Sequence, residues 1–366
     1  MADKNPLVSI CIPVYNGGDL LHRALQSSLR QTYRHIEVVV SDNASTDDTA
    51  AVVAAYVARD ARVRYFRNDT NIGSPRNFLR SFELARGVYA QLLGHDDWLS
   101  SNYVEESIKN FKLFPETAAV LPRTISFSID KNGDMQFISD VIFKPGNYPQ
   151  AYVAKHIYRT LLGCLMMYGM VRRCDLIEAT RFAIRSLENL PNSVPQRFRE
   201  FGKKGYGLDV MITPKILKKY PYLTVTDQSA LMKISNPANS SAAAQQEGLG
   251  KGSIVANFTS YGFLRACSEL VYATDFKNHL RAMRIFLGKE ALVTVVFDFI
   301  KSGFPRGFFR GWKKVLKEFF ETYSVSEKTM VFVGFLPLLI QRSGSFLMRA
   351  LKRKRTIEKY REYLTV

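Results

Sequence analysis

The residues best suited to chemistry stand together at Gly94-His95-Asp96-Asp97-Trp98-Leu99, directly after the apolar run Val88-Tyr89-Ala90-Gln91-Leu92-Leu93. Such a run fits a buried strand, and two adjacent carboxylates at its end are costly unless something positive arrives. In an open α/β sheet, ligands bind beyond the carboxyl ends of the strands, so Asp96 and Asp97 are placed to meet a hard cation and a phosphate-bearing ligand. The competing reading is a solvated turn that caps a helix beginning near Ser100–Ser101. A lone carboxylate, Asp209, follows the flexible turn Gly205-Tyr206-Gly207 and precedes a helix expected over Val210–Lys218.

The elements around these residues decide between the readings. Val8-Ser9-Ile10-Cys11-Ile12-Pro13-Val14 reads as a buried strand closed by Tyr15-Asn16-Gly17-Gly18, and Leu20, Leu21, Ala24, Leu25, Ser28 and Leu29 share one face of the helix that follows. Ile36–Val40 is a second strand. The polar stretch Ser41–Asp48 after it supplies a loop and N-cap residues for a helix through Val52, Val53 and Tyr56. Val63–Phe66 is a third strand, Asn71-Ile72-Gly73 a turn, and Asn77–Leu84 a third helix. This alternation predicts a doubly wound, mostly parallel α/β sheet, so the loops at Tyr15, Asp42–Asn43 and Asp96–Asp97 open on one edge. Three polar strand ends aimed at one crevice favour the ligand reading.

Farther on, Asp130–Asp134 reads as a hairpin turn, Ile157–Val171 as a strand or a buried helix, and Thr224–Ile234 as a last strand pair. Ser, Ala, Asn, Gln and Gly dominate a linker over 236–253. We therefore expect a first domain over 1–235 and a helical, basic, amphipathic region over 254–366.

The net charge is +18, of which +12 lies in residues 250–366, where 21 Lys and Arg face 9 Asp and Glu. Phe308, Phe309, Trp312, Val315, Leu316, Phe319, Phe320 and Tyr323 share one helical face there, and Arg310, Lys313, Lys314 and Lys317 the other. That pattern suits an anionic membrane surface, or else a helix packed on the first domain with its basic face exposed. The apolar segment Met330–Ile340 falls well short of the ~20 residues that span a bilayer. Nucleic acid is disfavoured as a partner, since no zinc, helix-turn-helix or RNA-binding signature accompanies the charge. Four scattered cysteines without metal or redox spacing, and an N-terminus without a charged-then-apolar layout, point to a cytoplasmic location.

Five motifs in order resemble the inverting family 2 glycosyltransferases of GT-A fold: Val8–Asn16, Gln31-Thr32-Tyr33, Ser41–Asp47, Asn71-Ile72-Gly73 with Arg76-Asn77, and His95–Leu99. The resemblance implies a GT-A, Rossmann-like domain with a donor site formed by Pro13, Tyr15, Asp42, Asn43, Arg76 and Asp96. In it Tyr15 lies against the nucleotide base, Asp42 or Asn43 meets the base edge, and Arg76 helps hold the nucleotide. Asp97, with Asp96, would bind Mg2+ or Mn2+, and Asp209 would be the catalytic base. The sequence departs from the pattern at Gly94, where many members have Asp, at Leu208, where Glu is frequent, and at Lys233-Ile234-Ser235, where some carry Arg-x-His.

The chemistry implied is sugar transfer with inversion from a nucleoside-diphosphate donor, a UDP- or dTDP-sugar, to a hydroxyl of a saccharide. The basic tail fits a polyprenyl-linked acceptor in bacterial surface-polysaccharide assembly and a peripheral position on the inner face of the cell membrane. The alternative is a catalytically inactive nucleotide-sugar-binding scaffold at the membrane.

Overall fold

In the first strand, β1 (Val8–Val14), every residue is buried, as a central strand covered on both faces requires. A 3-10 turn at Gly18–Leu20 leads into α1 (Leu21–Leu29), which buries Leu21, Ala24 and Leu25. Then come β2 (Ile36–Asp42), α2 (Thr49–Val57), β3 (Val63–Arg67), α3 (Ser74–Leu84) and β4 (Tyr89–Leu92). Strand β1 pairs in parallel with β2 and β4, and β2 in parallel with β3. The α/β alternation and parallel half expected from the sequence are both present.

The computed structural model describes residues 5–129, 135–141, 143–150, 152–153, 168–190, 200 and 208–235. After β4 come β5 (Trp98–Leu99), α4 (Tyr103–Leu113), β6 (Thr117–Ile129), β7 (Met135–Val141), β8 (Gly146–Pro149) and β9 (Met170–Arg172). Helices α5 (Arg173–Glu188) and α6 (Leu208–Leu217) and strand β10 (Tyr222–Ser235) follow. Among the described residues the sheet has ten strands, in the order β3-β2-β1-β4-β9-β6-β10-β5, with β7 on β6 and β8 on β10. The pairs β4–β9, β6–β9, β6–β7, β8–β10 and β5–β10 are antiparallel, so the sheet extends beyond its parallel half with mixed direction.

Helix and strand ends shift by a few residues from the sequence expectation, and the last strand differs in kind. Thr224–Ile234 is not a strand pair but part of the single strand β10, whose first residues pair with β8 and whose end pairs with β5. The polar step Asp227-Gln228 looks like a turn, yet pairing at both ends keeps the chain extended. The predicted turn at 130–134 lies outside the described residues, and the strands flanking it pair antiparallel with Ile129 opposite Met135. Most of the 157–171 segment, the 236–253 linker and the 254–366 helical region also lie outside them. Among the described residues no helix is long and apolar enough to cross a membrane.

Candidate active site at the carboxyl edge of the parallel strands

Parallel connectivity puts the ends of β1, β2, β3 and β4 on one edge, and hydrogen bonds tie adjacent ends together. The Asn43 amide donates to the Val14 carbonyl at 2.8 Å and the Asn68 amide to the Asp42 carbonyl at 2.8 Å. Pro13 is buried in β1 opposite Ser41. Two residues on, Tyr15 leaves the sheet with 46% of its surface exposed.

The loop after β1 is laced to the loop after β2. The amides of Gly17 and Gly18 donate to the Thr49 hydroxyl at 2.9 and 3.2 Å, and that hydroxyl donates to Asp47 at 2.5 Å. The Asn16 amide donates to Ser45 Oγ at 2.9 Å, and Ser45 Oγ donates to Asp42 at 2.5 Å. Ala44 is held at φ 62°, a left-handed conformation that L-residues rarely adopt, so the loop is fixed at some cost in backbone strain.

Asp42 has no exposed surface. Its Oδ1 accepts from the Ser45 amide and hydroxyl, and its Oδ2 accepts from Tyr65 at 2.6 Å and Arg67 at 3.0 Å. Asn43 is also committed within the protein. Its Oδ1 accepts from the Ile72 amide and from Asn68, and its Nδ2 donates to Asn71. Both side chains therefore brace the loops around them. Arg76, in the first turn of α3, has a half-exposed side chain and donates to Glu188 at the end of α5 at 2.7 Å.

Asp96 and Asp97 are buried in the turn after β4. A Cβ built on Gly94 would fall 2.8 Å from an Asp97 oxygen and 3.0 Å from an Asp96 oxygen, so both carboxylates converge on the space this glycine leaves. Asp97 Oδ1 accepts from the Ile234 amide of β10 at 3.0 Å, which fixes the carboxylate against a strand 137 residues away. The Asp97 carboxyl is pushed up to about 7: burial and the Asp96 charge raise it, and Lys233 and the Ile234 amide offset part of the rise. A buried acidic pair of this kind is stabilised by a cation, and its hard oxygen donors suit Mg2+ or Mn2+. Among the described residues no three His, Cys, Asp or Glu side chains converge. A cation held here would rest on two carboxylates and draw further oxygens from its ligand, the mode in which Mg2+ meets phosphates. The loop after β1 reaches the same place, since a Cβ on Gly17 would lie 3.2 Å from the His95 ring.

Two residues complete this cluster: Lys233, which the sequence marks only as a departure from an Arg-x-His pattern, and Tyr168, which it does not single out. The Lys233 ammonium lies 3.6 Å from the centre of the Tyr168 ring. Lys233 lowers the pKa of the Tyr168 phenol, but burial, Asp97 and Asp209 raise it by more, so the net shift is upward. Burial disfavours the Lys233 charge, yet Tyr168, Asp97 and Asp96 hold its pKa above the ordinary range. Tyr168 is itself anchored by its backbone carbonyl, which accepts from Gln91 at 2.7 Å and from the Tyr103 hydroxyl at 3.4 Å. Gln91 was a legible signal, a polar residue inside an otherwise apolar strand. Asp209 stands in the first turn of α6, partly exposed and within electrostatic reach of Tyr168. Asp96, Asp97, Lys233, Tyr168 and Asp209 are thus linked electrostatically, while Tyr15 and Asp42 share the sheet edge with the acidic pair.

Comparison with known proteins matches the same region to a family profile. The profile described as Glycosyl transferase family 2 matches residues 9–171. The chain is 36% identical over 131 residues to a chondroitin synthase of Escherichia coli, which covers 36% of this chain and 18% of that protein. It is 30% identical over 99 residues to the glycosyltransferase GlyG of Streptococcus pneumoniae serotype 4, covering 27% of this chain and 33% of that one. The chain thus spans well under half the length of these curated relatives. A crystal structure of S. aureus TarS 1-349 in complex with UDP aligns over 87% of this chain and 92% of that one, with 13% identity and a TM-score of 0.49. Residues 9–171, which hold every site residue named above except Lys233, Asp209, Glu188 and Ile234, match the profile of glycosyl transferase family 2.

Proposed function

We propose that this protein is a metal-dependent, inverting glycosyltransferase that moves a sugar from a nucleoside-diphosphate donor, UDP- or dTDP-linked, to a hydroxyl of a saccharide acceptor. The observation that carries the proposal is the convergence of Asp96 and Asp97 on Gly94 at the edge where Tyr15 emerges, with Asp209 in reach of the same cluster through Tyr168. The match of residues 9–171 to the family 2 profile supports it.

In this reading Tyr15 offers its exposed ring to the base, and the β1 and β2 loops, already cross-linked, hold the nucleoside without further ordering. Asp97 and Asp96 hold Mg2+ or Mn2+, which when bound neutralises charge on the departing diphosphate. Lys233 adds a fixed positive charge beside Asp97. Asp209 accepts the proton of the acceptor hydroxyl as its oxygen attacks the anomeric carbon. The bond to the diphosphate breaks on the opposite face, so a single displacement inverts the centre.

Titration of UDP and dTDP with and without Mn2+, followed by thermal shift, tests donor binding, because a ligand of the native state raises its melting temperature. Asp209→Asn should bind nucleotide as the parent does and transfer no sugar. Turnover by that variant overturns the assignment of the base. Nucleotide binding by the parent protein without transfer to any acceptor supports the scaffold reading instead.

We further propose a lipid-linked saccharide acceptor at the cytoplasmic membrane face, in surface-polysaccharide assembly, on the strength of the aromatic and basic helical pattern over 308–323. Full-length protein should float with anionic vesicles and fail to float with neutral ones; failure with both removes the membrane part of the proposal.

A further inference from the structure

We infer that Arg67 reads the donor base and selects bases that carry a carbonyl oxygen, rather than an amino group, at position 4 of a pyrimidine or position 6 of a purine. The inference rests on the nucleotide-donor reading above and adds a specificity determinant to it.

Arg67 is the last residue of β3 and the register partner of Asp42, itself the partner of Val14. The strand ends along the site edge therefore run, in spatial order, Arg67, Asp42, Val14 with Tyr15, and then the turn carrying Asp96 and Asp97. Three strand spacings of ~4.8 Å separate β3 from β4, roughly 14 Å in all. An extended nucleoside diphosphate has a length of that order. With its phosphates at the acidic pair and its base against Tyr15, the base edge reaches toward the ends of β2 and β3.

The polar groups waiting there are unequal. Both oxygens of Asp42 are filled by four donors and the side chain has no exposed surface, so it has little to offer a ligand. The Asn43 oxygen takes two donors already, and Arg76 is turned to Glu188. Arg67 donates to Asp42 through Nη1 at 3.0 Å and also interacts with the Tyr65 hydroxyl, and its side chain is 45% exposed. A guanidinium carries five N–H donors and no acceptor. Asp42 thus anchors one nitrogen of a planar fork on a side chain that is 45% exposed at the site edge, which makes it a positioning residue for Arg67.

A donor-only group meets a carbonyl oxygen favourably and an amino group unfavourably. Thymine O4 and guanine O6 are acceptors, and uracil shares the thymine carbonyl; cytosine N4 and adenine N6 are donors. Uracil, thymine and guanine nucleotides are then accepted, and cytosine and adenine nucleotides rejected.

UDP and CDP differ at this group, which makes them the probes. Their affinities for the full chain with Mn2+ present, measured by calorimetry, should favour UDP by roughly tenfold or more, the worth of one base-reading contact. Arg67→Ala should collapse the ratio toward one by losing UDP affinity. Arg67→Gln, whose amide both donates and accepts, should do the same without shortening the side chain greatly, and ligand-free thermal unfolding reports whether either variant folds. Equal loss of UDP and CDP affinity in both variants, an unchanged ratio, or a parent protein that prefers CDP overturns the role of Arg67 while leaving the donor reading intact. A parent protein that binds no nucleoside diphosphate at all overturns the donor reading, and this inference falls with it.

Discussion

The ammonium of Lys233 sits over the Tyr168 ring, 3.6 Å from its centre, while the next amide along the chain, that of Ile234, donates to Asp97 at 3.0 Å. One short piece of β10 therefore delivers both a cation and a backbone donor to the acidic pair after β4. The ring beneath the ammonium limits where the charge can go, and a cation held over an aromatic face is stabilised there.

Replacing Lys233 by Met keeps the stem and removes the charge. We expect nucleoside-diphosphate affinity to fall roughly tenfold or more, since hydrogen bonds to charged groups contribute about 1.5–3 kcal/mol. Lys233→Arg should recover part of the loss, whereas a purely packing role would favour Met over Arg. Titration calorimetry on the three proteins separates these outcomes.

Gly94 bears on the same carboxylates. A methyl group there would overlap an Asp97 oxygen at 2.8 Å and crowd an Asp96 oxygen at 3.0 Å, so both must move. Gly94→Ala should leave the fold intact, because no positive φ is required at this position, and should weaken Mn2+-dependent nucleotide binding severalfold more than metal-free binding. Equal effects with and without Mn2+ would assign Gly94 to packing alone.

The opposite end of the sheet has its own buried acid, and its chemistry is structural. Glu37 accepts from Ser9 at 2.6 Å, from the Arg86 amide at 2.5 Å and from Arg64 at 2.7 Å. Burial raises its pKa, but the hydrogen bonds from Ser9, Arg86 and Arg64 outweigh burial and hold it below 4.5. A depressed carboxyl stabilises the fold fully above its unfolded pKa and loses that contribution as pH falls through the folded value. Glu37→Gln should therefore cost about 2 kcal/mol at pH 7. The gap between the two proteins should narrow below about pH 4.5, as urea unfolding at several pH values would reveal.

Much of the donor half of this site is legible in the sequence because short apolar runs alternating with amphipathic helices leave a parallel sheet as the economical solution. Once the strands are parallel, Tyr15, Asp42 and Asp96 must share an edge. What is not legible depends on distant partners. Lys233 becomes a site residue only when β10 is laid against β5, and Tyr168 only when Gln91 and Tyr103 hold its carbonyl. Arg67 looks like an ordinary surface residue until register sets it opposite Asp42. The expected direct roles of Asp42 and Asn43 at the base edge come from motif likeness, which carries residue identity but not the internal hydrogen bonds that occupy these side chains here.

Asp209 depends on a helix whose far end is fastened elsewhere. Just beyond α6, Lys219 donates to Asp175 at 2.7 Å and to Glu178 at 2.6 Å, and Tyr220 donates to Asp175 at 2.5 Å, so the helix is moored to α5. Asp175 is buried, and removing it would leave the Tyr220 hydroxyl without this acceptor and Lys219 with only its exposed partner. Asp175→Ala should lower stability by about 2 kcal/mol. If Asp209 is the base, the loosened α6 should also lower kcat by tenfold or more, because small misplacements of a catalytic group are costly. Affinity for nucleoside diphosphate should stay near the parent value, since neither α5 nor α6 forms the base end of the groove. Asp175→Asn retains an oxygen for Tyr220 and should lie between the two. A parallel loss of nucleotide affinity and kcat would show instead that the mooring supports the whole domain, whereas loss of kcat alone ties the anchor to the proton acceptor at the other end of the helix.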